Sequence, residues 1–126
     1  MLGSSSSAQI DFDWQQLRQL AGGDASFELE LIAIFLEDTE AILKQLRQAI
    51  AAQNIQTIID LAHAIRGSSA NVGACALARS ARQLEQLTHN SQLSGSLASL
   101  SSEANQLLSQ MRYHYQILQS RFPAAR

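Results

Sequence analysis

The feature that most constrains this 126-residue chain is the near absence of helix breakers inside its long apolar-periodic stretches. Its single proline is Pro123, close to the C-terminus, and its glycines fall mostly between the periodic segments. Proline removes a backbone donor, and a glycine inside a helix costs about 0.5 to 1 kcal/mol relative to alanine, so the pattern leaves long helices uninterrupted. An all-α fold follows. The 46% hydrophobic content suffices for one continuous core, and the length is that of one domain.

Five helical segments are predicted. Asp11 or Asp13 caps a short first one carrying Phe12, Trp14, Leu17 and Leu20, which Gly22-Gly23 ends. Asp24 caps a long second helix reaching about Ala52, with Phe27, Leu31, Ile34, Phe35, Ile42, Leu46 and Ile50 as one apolar stripe. Asn54 caps a third, with Ile55, Ile58, Leu61, Ala62 and Ile65 inward and a turn near Asn71 to Gly73. A fourth starts near Gly73 and buries Leu77, Ala81, Leu84 and Leu87, until Asn90-Ser91 and Ser94-Gly95-Ser96 mark a loop. The last runs from about Leu97 to Ser120, presenting Leu100, Ala104, Leu107, Met111, Tyr115 and Leu118 on one face. Short connections favour antiparallel neighbours, so the fold expected is an up-down-up-down four-helix bundle with a short additional N-terminal helix as a lid. Residues 1–9 read as a flexible leader, native or an expression remnant, residues 10–121 as the bundle domain and 122–126 as a C-terminal tail.

Charge and composition exclude several classes of function. A net charge of -2 offers no basic field for a phosphate backbone, so nucleic acid is not an expected partner. No apolar run approaches the roughly 20 residues that span a bilayer, and Met1 to Gln9 lacks a signal-peptide core. The lone Cys75 forms no internal disulfide, which suits the cytoplasm. No nucleotide-binding glycine loop occurs, so ATP is not an expected substrate.

The informative stretch surrounds His63. Helical spacing sets Arg66 and Gly67 beside it on one surface, outside the third helix's apolar stripe. A neutral imidazole has one nitrogen free to attack, and a permanently charged arginine suits a phosphoryl group gaining negative charge. Gly67 asks for a reason inside a helix, such as close approach of another molecule. A lone surface histidine flanked by arginine and glycine is equally ordinary, and spacing alone does not choose between the readings. Ser68 and Ser69 read as small packing residues bonding back to helix carbonyls, and Asn71 and Gly73 as turn residues.

At this segment the chain closely resembles the histidine-containing phosphotransfer (HPt) family. The resemblance is carried by Ala62-His63, Arg66, Gly67-Ser68-Ser69 and Gly73-Ala74. It extends downstream through Leu77, Leu84 and Glu85, and upstream through Leu17, Leu20, Gly22-Gly23-Asp24, Phe27, Leu31, Phe35-Leu36 and Asp38, covering about residues 11 to 118. It implies that His63 is phosphorylated, with Nε2 as the expected attacking atom. By the same resemblance Arg66 replaces the family's usual lysine, Gly67 gives clearance, and Glu85 is a polar neighbour on the facing helix. It also implies a phosphocarrier without autokinase activity that exchanges its phosphoryl group with aspartates of receiver domains docked over the third and fourth helices. No cofactor of its own is expected, the Mg2+ belonging to the receiver.

Eight of the eleven acidic residues lie between Asp11 and Glu40, whereas Arg66, Arg79 and Arg82 flank the histidine segment, which suggests a positive patch there. Three other kinds of helical protein share parts of this pattern. The dimerisation and phosphoacceptor domain of a sensor histidine kinase normally has an acidic residue after the histidine and a proline soon after, whereas here Ala64 follows and the chain supplies four long helices itself, so a monomer is expected. A dinuclear metal bundle, suggested by Asp60-x-x-His63, needs a second such pair, which His89 and His114 do not supply. A non-catalytic adaptor bundle is the third.

Overall fold

The computed structural model describes residues 11–95 and 99–122, and these form five helices with no strand. They are α1 (Trp14–Leu20), α2 (Ala25–Ala51), α3 (Ile55–Val72), α4 (Cys75–Ser94) and α5 (Leu100–Arg121). The four long helices form the antiparallel bundle: α3 packs most extensively on α4, α4 on α5, and α2 closes the ring against both α3 and α5. The expected leader, the helix start at Leu97 and tail residues 123–126 lie outside the described residues. No described helix is long and apolar enough to cross a membrane.

Side chains at the helix starts set where the elements begin. Asp13 rather than Asp11 caps α1, its Oδ1 accepting from Gln16 N at 3.1 Å. Asp24 Oδ1 accepts from the backbone of Ser26 and Phe27 at 3.0 and 3.1 Å, and Asn54 Oδ1 accepts from Thr57 N at 3.3 Å. Each such cap satisfies an orphaned amide and contributes about 1 kcal/mol. The α3–α4 turn pivots on Gly73, whose φ of 92° lies in the left-handed region.

Two expectations are corrected. The helix α4 does not end at Asn90-Ser91 but continues to Ser94, stopping where Gly95 takes a left-handed φ of 73°. Asparagine and serine only weakly disfavour a helix, and Ser91 is buried in the bundle, so tertiary packing carries the extra turn. The α2 stripe is also rotated over its N-terminal half. Phe27 and Ile34 are 41% and 57% exposed, and Ile32, Leu36 and Leu43 join Phe35, Leu46 and Ile50 in the core instead. Residues 31–36 are apolar all around the helix, so periodicity there does not fix which side faces inward.

At the centre Leu43 and Leu46 meet Ala62 and Ile65, Ala81 and Leu84, and Ala104 and Met111, all with negligible exposure. Burying a leucine or isoleucine side chain in this way contributes about 1.5–3 kcal/mol. Tyr115 ties α5 to α2: its hydroxyl lies 3.1 Å from the Leu36 carbonyl and 2.9 Å from Glu40 Oε1, and accepts from Gln119 Nε2. That hydroxyl contact holds the Glu40 carboxyl below the ordinary glutamate value, Lys44 adding to the effect and burial opposing it.

The segment before α1 lies as a strap across the α3–α4 turn. Asp13 N–H donates to Gly73 O at 2.7 Å, Ala76 N–H to Asp11 O at 3.3 Å, and Gln16 Nε2 to Asn71 O at 3.1 Å. The Asp11 carboxylate pairs with Arg79. Phe12, Trp14 and Phe122 form an aromatic triangle with centroid separations of 5.0, 5.3 and 5.7 Å. Phe122 is buried, so the packed body reaches that residue.

Candidate functional site

The direction of His63 follows from its helical neighbours. Ala62 and Ile65 are fully buried, which turns the intervening position outward, and the His63 side chain is 63% exposed. Its Nδ1 lies 3.0 Å from Oε2 of Glu85, which projects from α4, and 2.9 Å from Nη2 of Arg66, one turn further along α3. Both contacts fall on the same ring nitrogen. Among the described residues Nε2 has no hydrogen-bond partner, and the side chain that carries it is largely exposed.

Arg66 also approaches Glu85, with Nε 2.9 Å from Oε1. The N–H does not point along this line well enough to count as a hydrogen bond, so the contact is chiefly coulombic. The Glu85 side chain is only 15% exposed and that of Arg66 40%, making the carboxylate the more firmly held partner. Glu85 thus serves the imidazole and the guanidinium together.

Gly67 lies one turn from His63, and a Cβ built on it meets no atom within 4 Å. Nothing inside the molecule requires glycine there, and the backbone beside the histidine is open. Ser68 bonds back to the Ile65 carbonyl at 3.3 Å as expected. Ser69 is fully buried on the core side and its Oγ has no partner, so it packs without bonding back and points away from the histidine surface. Asn71 offers its carbonyl to the strap, and a Cβ on Gly73 would collide with the Asp13 carbonyl.

The other candidate groups are dispersed. Asp60 accepts from Gln56 Nε2 at 2.9 Å, His89 is exposed, and His114 is half-buried on α5. Among the described residues no group of three or more histidine, cysteine, aspartate or glutamate side chains is placed to hold a metal ion. Of the three arginines expected to make a positive patch, Arg66 and Arg79 are paired with carboxylates, which leaves Arg82 to carry it. The Arg66–Glu85 pairing was not visible to sequence reasoning, since helical spacing relates residues of one helix and says nothing of the register between two.

A histidine held outward on one helix of an antiparallel bundle, backed by a carboxylate from the next helix and flanked by bare backbone, leaves an imidazole open to contact from outside the domain. The Hpt-domain family model matches residues 30–114, and the chain belongs to that family, which carries a histidine phosphotransfer role in phosphorelay signalling. The fold is similar to the crystal structure of a rice protein assigned as a histidine-containing phosphotransfer protein, with a TM-score of 0.77 at 23% identity over 98% of this chain and 85% of that one. No curated protein matches the chain.

Proposed function

We propose that His63 accepts a phosphoryl group from the aspartyl phosphate of one receiver domain and passes it to the aspartate of another. The observation that carries this reading is the outward His63 ring, 63% exposed, beside the open backbone at Gly67. The receiver docks over α3 and α4 and brings the Mg2+ that neutralises the transferring group. The domain contributes the acceptor and its surroundings, works as a cytoplasmic monomer, and has no autokinase activity.

The test is incubation with a radiolabelled phosphorylated receiver beside a His63→Gln variant, with ATP alone as a second arm. Label is expected on the wild-type domain only, in an acid-labile form, and ATP is expected to label neither protein. Equal labelling of the variant rejects His63 as the acceptor, and labelling by ATP rejects the carrier role.

A further inference from the structure

Helical spacing on α4 sets Arg82 on the same side as Glu85, one helical turn nearer Gly73. The His63–Glu85 contact at 3.0 Å fixes the register of the antiparallel pair α3 and α4. Arg82 therefore comes level with Arg66 and Gly67, which lie one helical turn nearer Gly73 than His63 does. It is exposed and, among the described residues, has no hydrogen-bond or carboxylate partner.

On the other flank, two grooves sort the carboxylates of α2. Glu37 and Glu40 line one with Tyr115 and Gln119, on the α5 side. Gln45 lines another with Asn54 and Thr57, where α3 begins. Asp38 precedes Gln45 by two helical turns and so shares its side. Asp38 and Ser68 are equally far along the chain from Gln53 in the α2–α3 turn, which brings Asp38 level with Gly67 and Ser68. Asp38 is exposed and, among the described residues, has no partner either. The backbone gap at Gly67 thus lies between a free cation on α4 and a free carboxylate on α2.

We propose that this pair of opposite charges fixes the orientation in which a receiver docks, its carboxylate-bearing rim over Arg82 and a cationic group over Asp38. The inference deepens the phosphotransfer reading and rests on it. A receiver that holds Mg2+ does so with carboxylates, so the rim of its site is acidic. That rim meets Arg82 rather than Arg66, because Arg66 is committed to Glu85, with Nε 2.9 Å from Oε1. Turned the other way, the rim sets carboxylates against Asp38, and like charges juxtaposed at an interface suppress the wrong arrangement. Neither Arg82 nor Asp38 touches His63 Nδ1, whose contacts are Glu85 and Arg66. The two charges act on docking and leave the imidazole itself unchanged.

The experiment measures phosphoryl uptake against the concentration of a radiolabelled phosphorylated receiver. Four proteins are compared: wild type, Arg82→Gln, Asp38→Asn and the interchange Arg82→Asp with Asp38→Arg. Each single variant is expected to raise the half-saturating receiver concentration about two- to fivefold without lowering the maximal rate. The interchange keeps the net charge but reverses the pair, and is expected to raise that concentration about tenfold. Uptake from phosphoramidate, a small donor that needs no docked protein, is expected to proceed at one rate in all four, with one urea midpoint. An interchange equal to wild type shows that only net charge matters and overturns the proposal, as do single variants with wild-type half-saturation. A loss shared with phosphoramidate also overturns it, since the residues then act on the imidazole or the fold. A wild type that takes phosphate from phosphoramidate but from no receiver rejects the phosphotransfer reading itself, a failure seen before any variant is compared.

Discussion

Gly67 separates what the fold needs from what the site needs. Glycine within a helix is a liability, yet here a methyl group would touch nothing in the molecule. Gly67→Ala is therefore expected to raise unfolding free energy by about 0.5–1 kcal/mol in urea titrations while slowing phosphoryl uptake from a receiver. A variant that is more stable and fully active would show that the clearance has no role. At this scale the sequence was partly legible. Periodicity alone turned His63 outward, because Ala62 and Ile65 on either side are apolar. The roles of Glu85 and Arg66 were less so: one was visible only through resemblance, and the other was expected at the phosphoryl group, whereas it lies against Nδ1 and Glu85.

Between elements, the decisive joint is the α3–α4 turn under the strap. Gly73 combines a left-handed φ of 92° with contact too close for any Cβ beside the Asp13 carbonyl. Gly73→Ala is expected to cost about 1–3 kcal/mol from the backbone conformation alone. Displacement of the strap should add to this, read as faster hydrogen exchange at the Asp13 and Ala76 amides, which bond across the joint. Unchanged exchange there would show that the strap adapts. The caps at Asp24 and Asn54 could be read from the chain because they are local. The facing of α2 could not, since residues 31–36 are apolar on every side and only packing against α3 and α5 selects Ile32 and Leu36 over Ile34. The end of α4 was misplaced for the same reason: burial of Ser91 outweighs its weak helix preference.

For the whole molecule, loss of stability through the histidine range should converge on the seam between strap and bundle. His114 lines one small cavity with Asp11, Phe12, Leu77 and Leu118. Burial lowers its pKa below the ordinary value, Arg79 pushes the same way, and Asp11 partly opposes them. The unfolded chain therefore takes up this proton before the folded one does, so stability is full above the histidine range and falls as pH drops through about 6.5. His114→Gln is expected to flatten that part of the curve, measured as urea midpoints across the range, and an unchanged slope would assign the effect elsewhere. The same seam bears on how the molecule can be watched. Its aromatic triangle includes Trp14, the one tryptophan in the sequence, packed between rings from the two ends of the described chain. Indole emission therefore reports on the parting of those ends, while far-ultraviolet dichroism reports on the helices, so loosening of the strap and melting of the bundle are optically separable events without any added label.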